Sequence, residues 1–172
     1  MKSNIFQWAS EYYMQKSLWQ GSAVRAHRHP SRELSPQVEV ERIILEAAEK
    51  IADLFMDPIT SSKPLAASID LWSLETALSH IISDAAQSLN FVNPDQASRF
   101  IYEFRRKKVT IVDDLVSLFI NTIRDAARNM VKIDFSSPRL MIVEVDSSFT
   151  GLKAVRKEFI QVIYDVLRQF LL

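Results

Sequence analysis

Residues 36–57, PQVEVERIILEAAEKIADLFMD, show the clearest helical pattern in this chain. Apolar residues recur there every three or four positions, which places them together on one face of an α-helix. Ser35 is suited to cap the start of the helix and Pro36 to its first turn, and Asp57-Pro58 is a predicted end. The segment predicts an amphipathic helix whose apolar face packs on other elements through Val40, Ile44, Ala47, Ala48, Ile51 and Phe55.

Similar apolar periodicity covers most of the chain outside this segment. It predicts further helices over about 1–20, 69–89, 94–108, 110–130 and 152–172. The connections between these segments are short, and only two residues of the chain are glycine. We therefore expect an all-α fold, a helical bundle of five or six helices.

Three segments of the chain differ in composition. Residues 1–20 combine helical periodicity with many aromatic side chains, whereas residues 21–35 lack apolar periodicity and contain several arginines. The sequence therefore predicts an amphipathic aromatic N-terminal helix (1–20), a basic extended linker (21–35) and a helical bundle domain (36–172).

The stretch 140–145, LMIVEV, leaves two interpretations open. Its β-branched residues favour a strand, whereas the preceding Ser137-Pro138 favours the start of another helix. A strand needs a partner for its backbone groups, and the other strand-like run is Val109 to Val112. We expect either a helix here or one short strand that pairs with residues 109–112 or with another chain.

The composition excludes several classes of protein. The chain has 172 residues, 21 Lys+Arg against 21 Asp+Glu, no cysteine and two glycines. Thiol catalysis, iron–sulfur clusters and thiolate zinc sites need cysteine, and Gly21 and Gly151 stand too far apart for a glycine-rich phosphate loop. The sequence shows neither a run of 18 apolar residues nor a secretory signal. We expect a cytoplasmic protein without a membrane span, a cofactor, a metal or an evident small-molecule substrate.

One polar stripe has the spacing of a catalytic arrangement. Thr76, His80 and Asp84 follow each other at four-residue intervals, so a histidine could lie between a hydroxyl and a carboxylate. The stripe points away from the apolar face of its helix, and a solvated polar face is the better interpretation. His27 and His29 fall short of the three or four ligands of a metal site. We therefore expect no enzyme activity.

Large apolar side chains near both ends of the chain predict a surface for protein–protein interaction. The N-terminal helix is rich in aromatic residues, and the last predicted helix has a strong apolar face. Such surfaces favour self-association, with a homodimer as the default, or binding of another protein. The candidate interaction residues are Phe6, Trp8, Tyr12, Tyr13, Trp19, Phe159, Ile163, Val166 and Phe170.

Two basic clusters support a second hypothesis, a small nucleic-acid-associated protein. Clustered cations bind phosphates without sequence preference. The alternative is that the run 105–108 ends a helix and meets the acidic face of residues 36–57 (Glu39, Glu46, Glu49 and Asp53), either in the same chain or on a neighbouring subunit. We favour this alternative because nucleic-acid-binding domains are usually net basic, whereas this chain is neutral. The candidate basic patch consists of Arg25, Arg28, Arg32, Arg99, Arg105, Arg106, Lys107 and Lys108.

Overall fold

Four α-helices and a three-stranded sheet make up the part of the chain that the structure, a computed structural model, describes: residues 35–62 and 65–172. This part is mostly helical, in agreement with the predicted class, and contains a small sheet as well. The helices are α1 (Pro36–Thr60), α2 (Leu71–Val92), α3 (Pro94–Ala127) and α4 (Leu152–Gln169). The strands are β1 (Ala66–Asp70), β2 (Val131–Ser137) and β3 (Leu140–Val145).

The helices form a bundle in which each helix packs on two neighbours. α1 packs on α2 and α4, and α3 packs on the same two helices. Asn93 alone joins α2 to α3, whereas β1 lies between α1 and α2 and the β2–β3 hairpin lies between α3 and α4. Because β1 pairs with β3, these two longer connections lie together. The ends of α1 and α3 and the starts of α2 and α4 therefore meet at one end of the bundle. The sheet lies against this end, where β1 contacts α1 and α2 and β2 contacts α3.

The sheet is antiparallel, with β3 between β1 and β2. Alternate residues of the strands face the helices, as the two-residue period of a strand requires. In the register, Ile69 lies opposite Met141, and Ile133 lies opposite Val143. All four of these side chains are buried. The sheet therefore closes the apolar core at one end of the bundle.

The stretch 140–145 is a strand, and the predicted pairing with residues 109–112 is wrong. Its partners are β1 and β2, whereas 109–112 lie inside α3. Ser137 is the last residue of β2 and Pro138 lies in the turn to β3, so this pair starts no helix. The residues of β1, AASID, have a weak strand pattern of their own. In β2 the apolar residues Val131, Ile133 and Phe135 do alternate with polar ones, a strand signal that the prediction left unused. Both segments become strands because β3 supplies their hydrogen bonds.

The helices predicted over 94–108 and 110–130 are one continuous helix, α3, of 34 residues. Phe104 and Ile111 lie seven residues apart, so they occupy the same helix face, and both are buried. Thr110 does not cap a new helix, since its hydroxyl donates to the Lys107 carbonyl oxygen one turn earlier, at 3.1 Å. The described residues therefore contain four helices where the sequence pattern predicted five.

Helix boundaries otherwise differ from the prediction by a few residues. Pro58, predicted to end α1, lies inside its last turn, and α1 continues to Thr60. α2 starts at Leu71, where the side chain of Asp70 accepts from the Trp72 amide at 2.9 Å and caps the helix. α3 ends at Ala127 because Arg128 adopts a φ of 48°, which interrupts the helical geometry.

The predicted start of α1 is confirmed. The Ser35 side chain accepts from the Val38 amide at 3.2 Å, and Pro36 occupies the first turn. α4 starts at Leu152, as predicted. The predicted N-terminal helix over 1–20 and most of the predicted linker, residues 21–34, lie outside the described residues.

Three phenylalanines join α1, α3 and α4 at the centre of the core. The Phe55 ring stacks on Phe119 with centroids 5.0 Å apart and meets the edge of Phe159 at 5.1 Å. Phe119 and Phe159 lie 5.5 Å apart, and all three side chains are fully buried. Aromatic pairs in this arrangement add to the free energy gained from burial alone.

The Phe119→Ala variant tests this cluster. Removing a fully buried ring leaves a cavity between three helices, and we expect the free energy of unfolding to fall by about 3–5 kcal/mol. Urea denaturation followed by circular dichroism measures the loss. The control is Phe91→Ala, because Phe91 is 89% exposed, and this change should stay within about 0.5 kcal/mol. Equal losses in both variants would contradict the central place of the cluster.

Candidate protein-interaction surface

The candidate interaction residues of α4, and Phe170 directly after it, lie mostly inside the chain's own core. Phe159, Ile163 and Phe170 are buried, and Val166 is half-buried against the same core. The Phe170 ring lies 6.0 Å from that of Phe100 on α3. These side chains stabilise the fold of their own chain, which corrects the expectation that α4 offers them to a partner. The other candidates, Phe6, Trp8, Tyr12, Tyr13 and Trp19, lie outside the described residues.

The basic run 105–108 lies in the middle of α3 and not at a helix end. Arg106 forms an ion pair with Glu103 at 2.8 Å, and Lys107 approaches the same carboxylate at 4.0 Å. Lys108 reaches Glu75 on α2 at 3.9 Å. These side chains keep between 40% and 56% of their surface exposed. Carboxylates of α2 and α3 therefore balance much of the charge of the run.

The predicted pairing of this run with the acidic face of α1 in the same chain is wrong for three of the four carboxylates named above. Glu39 and Glu46 both bind Arg42, at 2.9 and 2.7 Å. Asp53 binds Arg156 of α4 at 2.8 Å. These carboxylates therefore pair with Arg42, which lies within about one turn on α1, and with Arg156 on the neighbouring α4. The net charges of whole segments, on which the prediction was based, do not reveal these individual ion pairs.

The two other described arginines of the candidate patch are Arg99, near the start of α3, and Arg105, the first residue of the run. Arg99 donates to the backbone carbonyl of Leu171 at 2.9 Å, and so ties the start of α3 to the last residues of the chain. Arg105 lines an open groove of about 310 Å³ between α2 and α3. The remaining candidates, Arg25, Arg28 and Arg32, lie outside the described residues.

Among the described residues, an exposed tryptophan, Trp72, stacks against the guanidinium group of Arg139. The Arg139 guanidinium carbon lies 3.4 Å from the centre of the Trp72 ring, and Trp72 is 62% exposed. The Leu71 amide donates to the Arg139 carbonyl at 2.7 Å, and Asp70 holds the Trp72 amide. The start of α2 and the turn between β2 and β3 thus fix both partners of the stack. We call Trp72 and Arg139 the Trp–Arg surface.

Sequence reasoning missed this surface. Leu71, Leu74 and Leu78 occupy the buried face of α2, so Trp72 points to solvent. That orientation could have been read from the helical spacing, whereas contact with Arg139 depends on tertiary pairing. Other large apolar side chains that are exposed in the described residues are Phe91, Tyr102, Val109, Met130, Phe135 and Leu172.

The polar stripe of α2 is a solvated face, as the sequence interpretation favours. Thr76, His80 and Asp84 are all exposed. The Thr76 hydroxyl donates to the Trp72 carbonyl of its own helix at 3.2 Å. In residues 35–62 and 65–172, the structure contains no group of three or more His, Asp or Glu side chains arranged to hold a metal ion. None of the helices there is long and apolar enough to cross a membrane.

The phenol of Tyr164 is buried on α4. Burial raises the pKa of Tyr164 to about 12, and the nearby carboxylate of Glu41 on α1 acts in the same direction. The ionised phenolate is disfavoured there because it would lose its hydration beside a negative charge. Tyr164 is therefore held in its neutral form by the packing of α4 on α1.

Comparison of wild type with Tyr164→Phe tests this environment. Between pH 10 and pH 12 the unfolded tyrosine loses its proton while the folded one keeps it, so the unfolded state binds fewer protons. The free energy of unfolding should therefore fall across this interval by up to about 2 kcal/mol. The variant should show a smaller decrease in urea denaturation, since its other titrating groups are unchanged. Parallel pH profiles for the two proteins would contradict the effect.

Comparisons with models of known families, with curated proteins and with solved structures found no match to this chain. Any function inferred for it rests on its own residues and their geometry.

Proposed function

We propose that this chain is a non-enzymatic α-helical protein of the cytoplasm that acts in assembly or regulation by binding other proteins, including a second copy of itself. The Trp–Arg surface is the observation that carries the proposal. Tryptophan and arginine are the residue types most enriched among the side chains that dominate binding energy at interfaces. Here both are exposed, adjacent and held by the backbone of two elements.

Preorganisation makes this pair suitable for binding. An exposed tryptophan normally loses side-chain freedom when a partner covers it, and this loss weakens binding. In this chain Arg139 already lies over one face of the Trp72 ring. A partner that covers the stack gains the burial of a large aromatic surface at a lower entropic cost. The guanidinium can at the same time bind a carboxylate at the rim of the interface.

The aromatic N-terminal helix predicted over 1–20 supplies a second contact in this proposal. The predicted linker, 21–35, separates it from α1. The entropic cost of closing a flexible connection grows only slowly with its length, so such a helix can dock away from its point of attachment. Its aromatic residues can then contact the bundle of a second copy or a different protein.

Self-association is tested with the full chain by light scattering coupled to gel filtration. We expect about twice the mass of one chain at micromolar concentration, since two-fold dimers are the commonest assembly of soluble proteins. A monomer that persists up to millimolar concentration would contradict this part of the proposal.

Partner binding is tested with the Trp72→Ala variant. The immobilised full chain is exposed to nuclease-treated native lysate, and a protein that it retains is then titrated against each variant. Loss of the ring should weaken that binding about 30-fold, the effect typical of a dominant interface residue. Phe91→Ala is the matched control, because it removes another exposed aromatic ring at the opposite end of the bundle. Equal weakening in both variants would contradict a specific role of the Trp–Arg surface.

A separate binding experiment with nucleic-acid probes addresses the nucleic-acid hypothesis. We expect no retention of short duplex or single-stranded probes at about 150 mM salt, where charges are screened beyond roughly 8 Å. The pairing of Arg106, Lys107 and Lys108 with carboxylates supports this expectation. Retention that falls steeply with salt and disappears when residues 105–108 are changed to Ser would favour the nucleic-acid hypothesis instead.

A further inference from the structure

The backbone hydrogen-bonding groups of β2 alternate between the side that faces β3 and the free edge, and those at the free edge can pair with a second strand. At the start of the ladder between β2 and β3, the Asp146 amide donates to the Met130 carbonyl at 2.7 Å. Antiparallel pairs alternate between residues that exchange hydrogen bonds and residues that do not. Lys132 and Asp134 therefore bond to β3, and the backbone groups of the odd-numbered residues 131, 133 and 135 point away from it. Among the described strands, β2 is at the edge of the sheet.

The side chains of β2 also alternate between the two faces of the sheet. Lys132 and Asp134 lie on the outer face, are 72% and 65% exposed, and approach each other at 3.9 Å. On the face toward the helices, Ile133 is buried, whereas Phe135 is 49% exposed at the edge. A strand added beside β2 would cover Phe135 and bring new charges close to Lys132 and Asp134.

We infer that β2 is the interface between two copies of this chain, paired antiparallel about a two-fold axis that passes beside Ile133. This inference rests on the self-association in the proposed function and assigns it a surface. The pairing joins the two three-stranded sheets into one continuous sheet. Ile133 exchanges hydrogen bonds with Ile133 of the second copy, and Val131 exchanges them with Phe135 of the second copy.

The charges of β2 select this register among the alternatives. With the axis at Ile133, Lys132 lies opposite Asp134 of the second copy, and Asp134 lies opposite Lys132 of the second copy. Moving the axis to position 132 or 134 still pairs odd-numbered residues, but it places two lysines or two aspartates directly opposite each other. Opposite charges across a strand pair stabilise it, and like charges destabilise it. The sequence of this strand is therefore complementary to itself in one register.

The apolar side chains agree with the same register. Val131, which is half-buried, lies opposite the exposed Phe135 ring of the second copy on the face toward the helices. The register shift between Phe135 and Ser137 ends the regular strand just after the last paired position. The opposite edge, β1, is less suited to pairing. It has five residues, exposes no large apolar side chain, and its last residue, Asp70, caps α2.

Amide hydrogen exchange measured by NMR tests the interface residue by residue. In a dilute sample, the amides of Val131, Ile133 and Phe135 should exchange fast, because they point away from β3. At a concentration where light scattering shows the dimer, we expect them to exchange at least tenfold more slowly. The amides of Lys132 and Asp134 serve as internal controls, since β3 protects them at both concentrations. A dimer that leaves the three odd-numbered amides unprotected overturns the inference.

Charge reversal tests the register. K132E and D134K each place like charges opposite each other at both cross-strand positions, and each should raise the dimer dissociation constant about tenfold or more. The double variant K132E/D134K restores opposite charges and should return the constant to within about threefold of wild type. K153E is the matched control, because Lys153 is exposed on α4. It should leave the dimer unchanged.

The outcomes separate this inference from the proposed function. Dimers that are insensitive to K132E and D134K, or that the double variant fails to restore, overturn the β2 interface and leave self-association intact. A chain that stays monomeric at high concentration contradicts both. Circular dichroism of each variant shows that the bundle is folded, so that loss of the dimer can be assigned to the interface.

Discussion

The contact of Phe55 with Phe119 and Phe159 is the constraint on which the rest of the structure depends. It fixes the last turns of α1 against α3 and against the start of α4. These are the helix ends that meet the sheet, so the same contact sets where β1, β2 and β3 can lie. The Trp–Arg surface follows from this arrangement, because the start of α2 and the turn after β2 come together only when the sheet is in place.

Local sequence pattern is sufficient for α1, where one apolar face and a capped start agree, and for α4, where the apolar face is strong. It fails where tertiary contacts decide the outcome. The continuity of α3 depends on Phe104 and Ile111 facing one core, although four cations lie between them. β1 and β2 exist because β3 pairs with both. The apolar face of α4 was correctly identified, but a face of this kind indicates burial without saying whether the same chain or a partner covers it.

Many charges of the described residues balance over short distances, which a count over whole segments does not show. Arg42 is held between two glutamates of its own helix, and Arg156 pairs with Asp53 across the contact between α1 and α4. The run 105–108 likewise has carboxylates one turn away or on the adjacent α2. Exposed pairs of this kind contribute little to stability individually. Because of these pairs, the described surface carries no strong excess of positive or negative charge. Exposed aromatic side chains such as Trp72 are therefore its more specific features for recognition.

The pairing of β1 with β3 has a consequence for the order in which the chain acquires its structure. The two strands lie far apart in sequence, with α2, α3 and β2 between them. Helices and the β2–β3 hairpin form from nearby residues, whereas β1 must wait until a chain loop of this length is closed. During synthesis, α1 and α2 leave the ribosome long before β3 does. The connection between α1 and α2 thus remains without its sheet partner until β3 has been synthesised.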